Sequence, residues 1–222
     1  MHNFKDLLLG LSYDDVLLVP QISNVESRSD VDLSTQITPR VKLNIPLISI
    51  NMTDVTGVEM AVALGKLGGI GFLPRFETPE KQAEMVKDVK KQNVYVGAAV
   101  GCREGYLKRA EMLANAGADI LTLDVAHGGM IQAIEATGEL KRMFGRKCDI
   151  VSGVIGTYET AYALYKAGAD SVRVGVGPGT ICITRIQTGV GVPQITAVAE
   201  AYRAAKHFND ILPAQKSGVS LQ

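Results

Sequence analysis

Short apolar runs alternate in series with amphipathic, helix-patterned segments through most of this 222-residue chain. That alternation restricts it to a sheet of parallel strands with helices packed outside. Leu47–Asn51 reads as the first buried strand, followed by a helix over Val58–Lys66. Gly69–Leu73 is the second strand. Its helix is Pro79–Lys90, with Thr78 as N-cap and Pro79 in the first turn. Val94–Val100 precedes a helix over Tyr106–Ala116, Ile120–Val125 precedes one over Met130–Phe144, and Ile150–Val154 precedes Tyr158–Ala167. Ser171–Val176 is the sixth strand and Gln194–Phe208 the last helix. The tetrapeptide Ala-Gly-Ala-Asp occurs twice, at residues 116–119 and 167–170, each time between a helix and a strand. Glycine there ends the helix in a left-handed cap. Two copies of one αβ turn favour a (β/α) barrel over an open nucleotide-binding sheet, and no Gly-x-Gly-x-x-Gly follows the first strand. A (β/α)8 barrel has eight units over typically ~250 residues. About six are legible, and no further pair follows His207. The expected fold is therefore α/β, an incomplete (β/α)8 TIM-barrel type, in one truncated domain over residues 1–222.

Charge and cysteine content narrow the function classes. Lys plus Arg number 23, as do Asp plus Glu, so no excess positive charge points to nucleic acid. The apolar run near the N-terminus lacks a basic start, and no stretch approaches the ~20 apolar residues of a membrane span. A cytoplasmic protein is expected. Cys102, Cys148 and Cys182 show no metal-ligand spacing, so reduced thiols are the default.

Barrel chemistry lies at the C-terminal ends of the strands. The sixth strand runs into Gly175-Val176-Gly177-Pro178-Gly179-Thr180-Ile181-Cys182-Ile183-Thr184-Arg185. Its glycines let the backbone turn tightly and approach a ligand, and consecutive N–H groups in such a loop can cradle phosphate. A thiol here is activated when positive charge favours the thiolate, and Arg185 is the local candidate. A glycine-rich turn with a small buried cysteine is an equally good reading from composition alone. Asp124 ends the fourth strand, where it either faces a ligand or caps a helix; Met52 is either a ligand contact or core. His127 has no partner at i+4 and reads as a surface residue or as one that supports a ligand from behind. Cys102 and Cys148 stand in no comparable loop, and the charge run Lys81–Lys91 reads as a solvated helix face.

Several segments resemble one family in order. Leu11-Ser12-Tyr13-Asp14-Asp15-Val16-Leu17-Leu18-Val19-Pro20 is similar to the opening signature of IMP dehydrogenases. Val31–Thr35, Ile45–Ser49 and Gly68–Gly71 follow, and Gly175–Arg185 with Thr188–Gln194 resembles the catalytic cysteine loop of the IMP dehydrogenase/GMP reductase family. The resemblance covers residues 8 to about 208 and implies a purine-nucleotide oxidoreductase of GMP biosynthesis. Cys182 then attacks C2 of the purine. In the dehydrogenase, hydride leaves C2 of IMP for NAD+, and water hydrolyses the thioimidate to XMP. In the reductase, ammonia leaves GMP and NADPH delivers the hydride. Thr184 is implied to assist the attacking or leaving group, Thr180 to lie near the nucleotide phosphate, and Met52 to pack on the base. Asp124 is implied to face the nicotinamide ribose. The carbonyls of Gly177, Gly179 and Cys182 are implied to hold a monovalent cation, K+. A homotetramer is implied for the intact enzyme.

The match also departs from the family. Lys90–Asn93 alone separates the second helix from the third strand, where dehydrogenases usually insert CBS modules. Asn51-Met52 and Thr188-Gly189-Val190-Gly191 lean towards reductases; Tyr13–Pro20 and Val192-Pro193-Gln194 lean towards dehydrogenases. Arg75 stands where a reductase has its catalytic Lys, and Arg stays protonated. Val154 stands where dehydrogenases often have Asn. The Asp-Gly-Gly strand, a later phosphate-binding Gly and the water-activating flap have no counterpart, and residues 209–222 resemble nothing in the family. Little or no turnover is expected of this polypeptide alone. The leading expectation is IMP dehydrogenase chemistry, with GMP reductase second. A non-catalytic nucleotide-binding or subunit-interaction fragment is the alternative of a different class.

Overall fold

The computed structural model describes residues 9–180 and 182–216. The first eight residues, Ile181 and residues 217–222 lie outside the described residues, and with them part of the N-terminal apolar run and of the 209–222 tail.

The main sheet holds six parallel strands in chain order: β3 (Ile48–Ser49), β4 (Ile70–Leu73), β5 (Val96–Val100), β6 (Ile120–Asp124), β7 (Asp149–Ile155) and β8 (Ser171–Val174). Helices α1 (Val58–Lys66), α2 (Pro79–Lys90), α3 (Tyr106–Ala116), α4 (Ile131–Phe144) and α5 (Tyr158–Ala167) form the successive crossovers. This is the strand and helix order of a (β/α)8 barrel over six of its units. An antiparallel hairpin, β1 (Thr35–Thr38) and β2 (Val41–Leu43), precedes the sheet. Helices α6 (Ile183–Thr188) and α7 (Gln194–Lys216) follow it.

The local signals act as read. Thr78 Oγ1 accepts from Lys81 N at 3.2 Å with Pro79 in the first turn. Gly117 and Gly168 end α3 and α5 with φ of 98° and 106°, where a side chain would be strained. Each Ala-Gly-Ala-Asp copy also ends in an aspartate with the same partners. Asp119 accepts from Lys90 Nζ of α2 and the Val96 N–H of β5, while Asp170 accepts from Lys141 Nζ of α4 and the Ile150 N–H of β7. Lys and Asp are 29 residues apart in both. The sequence repeat is thus a structural repeat of two βα units. Lys90 is the exception to the solvated face read over Lys81–Lys91.

Strand alternation sorts the core into two faces. Leu73, Val96, Ala98, Val100, Leu121, Leu123 and Ile150 point outwards and are buried with Val86, Leu113 and Leu140 of the helices. Each such Leu or Val contributes roughly 1.5–3 kcal/mol by leaving water. Ile70, Phe72, Ile120 and Val151 point inwards and meet Ile37, Val41 and Leu43 of the hairpin. The hairpin therefore plugs the end of the sheet where the strands begin. Arg40 fastens it: Asp149, almost wholly buried, accepts from its N–H at 2.9 Å and from its Nε at 2.8 Å.

The sheet curls. One cavity of about 440 Å³ is lined both by Ile48, Ile50 and Asn51 at one edge and by Ser171–Gly175 at the other.

Several boundaries differ from expectation. The first strand shrinks to Ile48–Ser49 because it is an edge with a single partner. The third begins at Val96, leaving Val94 and Tyr95 in the approach to it. The hairpin and α6 were not foreseen, and α7 continues past Phe208 to Lys216.

Candidate active site

Parallel strands bring their C-terminal ends to one side, so the loops after β3, β4, β6 and β8 converge there. The cysteine loop leaves β8 under several restraints. Gly175 N donates to Ile155 O at 2.8 Å, Gln194 Nε2 to Val174 O at 3.2 Å, and Val192 N to Val176 O at 2.9 Å. Gly175 and Gly177 take φ of 128° and 71°, which an L side chain rarely adopts. A side chain at Gly177 would also meet the Arg185 stem and Val190 O at 3.0 Å. These glycines are needed for the path of the loop, which settles why that run is glycine-rich. The N-terminus of α7 is braced too: Leu11 O accepts from the Ile195 and Thr196 N–H groups, and Leu11 N donates to Thr196 Oγ1.

Cys182 is half-buried at the N-cap of α6, and its N–H donates to Gly179 O at 3.1 Å. Thr180, two residues before it, is exposed. Thr184 lies on α6, but its side chain is outside the described residues. Among the described residues no hydrogen bond joins the Arg185 guanidinium to Cys182. Met52, just beyond β3, is 55 % exposed, which removes the alternative that it is core. Its neighbour Asn51 is buried and lines the cavity that reaches Gly175 at the start of the cysteine loop. Curling of the sheet thus brings the Asn51–Met52 corner and that loop to one hollow. Val154 lines the same hollow and makes its wall apolar there.

Asp124 ends β6 and does not cap a helix, because α4 begins after Met130. Both its oxygens instead accept from arginine: Oδ2 from Arg75 Nε at 3.1 Å and Oδ1 from Arg173 Nη1 at 3.1 Å. Arg75 follows β4 and Arg173 lies in β8, so alternate strands build one layer at the mouth. Arg173 was missed in the sequence. The available signals were a charged residue inside the apolar strand Ser-Val-Arg-Val and glycines at 101, just past β5, and at 153 in β7.

The other cysteines stay apart from this. Cys148 is fully buried beneath α4, and burial pushes its thiol up to about 11. Cys102 is half-buried and packs against the outer core. His127 is exposed, as read. No group of three or more His, Cys, Asp or Glu side chains poised to hold a metal occurs among the described residues. No helix among them is long and apolar enough to cross a membrane.

Fold and site together define a (β/α)-barrel protein with a cysteine-bearing loop and an arginine-held carboxylate at the C-terminal mouth. The chain belongs to the IMP dehydrogenase / GMP reductase domain family, whose model matches residues 10–218. It is 31 % identical to an inosine-5'-monophosphate dehydrogenase of Nitrosopumilus maritimus, over 90 % of this chain and 67 % of the relative. It is 36 % identical to that of Cryptosporidium parvum, over 92 % and 60 %. A GMP reductase of Leishmania donovani is 28 % identical over 89 % and 67 %. The chain thus spans 60–67 % of the length of these relatives. The first alignment runs over 325 positions, more than the chain has residues, so that relative carries segments with no counterpart here.

Proposed function

We propose that this chain carries the nucleophile side of a purine-nucleotide oxidoreductase, with IMP dehydrogenase chemistry as its reaction. The observation that carries this reading is Cys182, half-buried in a loop whose glycine path is fixed by backbone geometry at the mouth of the barrel. The Cys182 sulfur, as thiolate, bonds to C2 of IMP. The C2 hydrogen departs as hydride, and water then displaces the sulfur to give XMP. NAD+ supplies the hydride acceptor when bound. Met52, exposed beside the shared hollow, offers an apolar surface to the base, while exposed Thr180 offers a hydroxyl to the phosphate. Thr184, two residues after the nucleophile, is assigned to the water step. Asp124 fits a dinucleotide, because its carboxylate reaches the mouth with lone pairs to spare beside its two arginine contacts. A monovalent cation, K+, would be held by the carbonyls of Gly177, Gly179 and Cys182 and would brace the loop. Those oxygens are of the right chemistry, although Gly179 O and Cys182 O each already accept one backbone N–H.

GMP reductase is the second reading, favoured by Asn51-Met52 and by Thr188–Gly191. Arg75 speaks against it, since a guanidinium cannot shuttle a proton as lysine does, and here it is tied to Asp124. Mixing the chain with IMP and NAD+, or with GMP and NADPH, and following reduced nicotinamide by its absorbance separates the two. A single-turnover release of NADH with IMP, absent in Cys182→Ser, is the expected result, in keeping with the little or no sustained turnover expected of this chain. Consumption of NADPH with GMP alone establishes the reductase. No signal in either arm supports the non-catalytic alternative.

A further inference from the structure

Asp124, Arg75 and Arg173 form a layer in which two guanidiniums reach one carboxylate from strands on either side. The strand between Asp124 and Arg173 contributes Gly153, paired in register with both. A side chain there would stand 2.7 Å from Arg173 O and 2.8 Å from its Cβ, so glycine is what lets Arg173 reach across β7. On the other side Gly101, just past β5, lies beneath Arg75: a Cβ on it would touch the guanidinium at 3.9 Å. The Phe76 ring centroid is 5.2 Å from the Arg75 Cζ, a cation–π contact that further fixes the group. Arg75 therefore has a defined seat, although its side chain is 36 % exposed.

Each Asp124 oxygen spends one acceptor position on an arginine. A carboxylate offers roughly four such positions, so about two stay open, one per oxygen. That is the pattern that accepts two neighbouring hydroxyls. We propose that Arg75 is a positioning residue that, with Arg173, pins Asp124 so that its free acceptor positions meet the vicinal diol of a ribose in the dinucleotide. This rests on the reading given under Proposed function. Arg75 acts through Asp124, at which its Nε, the nitrogen nearest the stem, is already aimed. A lysine in its place has a single rotating ammonium with no planar fork, and holds the carboxylate less firmly.

Calorimetric titration of the chain with NAD+, and separately with IMP, tests this in Arg75→Gln, Arg75→Lys, Asp124→Asn and the double variant Arg75→Gln/Asp124→Asn. Losing a charge-assisted hydrogen bond predicts NAD+ affinity about tenfold weaker in Arg75→Gln, with a smaller loss in Arg75→Lys. IMP affinity stays within about twofold in both, which separates positioning from a general loss of structure. In the Asp124→Asn background the Arg75→Gln change costs less than about twofold further, because the residue it acts through is already neutral. Three results overturn the proposal: an equal Arg75→Gln penalty with and without the Asp124 charge, no penalty at all, or no NAD+ binding by the unaltered chain. Failure of the broader reading looks different. There the unaltered chain does not bind IMP, whatever the variants do with NAD+.

Discussion

Replacing Asp170 with alanine removes one carboxylate that satisfies two elements at once. Its oxygens accept from Lys141 Nζ at 2.6 and 2.7 Å and from the Ile150 N–H, at the start of β7, at 2.8 Å. The Asp170 side chain is 10 % exposed, so water cannot readily take its place, while Lys141 at 34 % can be partly rehydrated. Stranding the backbone donor costs about 1–3 kcal/mol, and the loss of the charged partner raises the total to about 2–4 kcal/mol. With a urea slope of about 2 kcal/mol per molar, the unfolding midpoint falls by roughly 1–2 M. Far-UV circular dichroism against urea reads this directly. Asp119→Ala, at the more exposed copy of the device, falls in the same direction by less. Lys141→Met leaves Asp170 its Ile150 N–H and keeps a stem over Gly168, but strands a largely buried carboxylate, and costs about 1–3 kcal/mol. A midpoint change worth less than about 0.5 kcal/mol in Asp170→Ala would show that the repeat does not brace the barrel. A larger loss in Lys141→Met than in Asp170→Ala would show that neutralising the buried carboxylate, and not its hold on the Ile150 N–H, is what this corner depends on.

Gly153→Ala forces its methyl group against Arg173 backbone and Cβ, and should cost about 1–3 kcal/mol of stability in thermal unfolding while lowering NAD+ affinity. Gln82→Leu strands the Ala99 carbonyl and deprives Arg109 of its 2.7 Å acceptor inside the core, a loss of about 1–3 kcal/mol by urea titration. Cys148 gives a pH effect of known sign. Burial holds its thiol at about 11, above its ordinary value of 9.0, so its contribution to stability is complete below pH 9 and is lost as pH rises through 11. Cys148→Ala should flatten the alkaline fall in stability over that window. At neutral pH, native alkylation followed by peptide mapping should modify Cys182 while Cys148 reacts only after unfolding.

Helices α1, α2, α3 and α5 begin and end where the sequence places them because capping is local: Thr78 with Pro79, Gly117 and Gly168 act within a turn of themselves. Strand ends were less legible, since a strand extends only where a neighbour pairs with it, and β3 has one short partner. The hairpin was readable in principle from the alternation of Ile37, Val41 and Leu43 about Pro39-Arg40. Its role as a plug was not, because that depends on the inward faces of β4, β6 and β7. At the site, the cysteine loop announced itself through glycines that its own backbone needs. The arginine clamp did not. Each arginine lies 49 residues from Asp124, and only the inward pleat of alternate strands brings them together. The same holds for Asn51 and Gly175, which share a hollow because the sheet curls.

In the proposed chemistry Cys182 is the group that bonds to the purine. Mass mapping of peptides after the chain is incubated with IMP and NAD+ and rapidly quenched tests it most directly. The expected result is a nucleotide adduct on the peptide that contains Cys182, dependent on NAD+ and absent in Cys182→Ser, with Cys102 and Cys148 unmodified. NADH formation without an adduct on Cys182, or an adduct on either other cysteine, would contradict it.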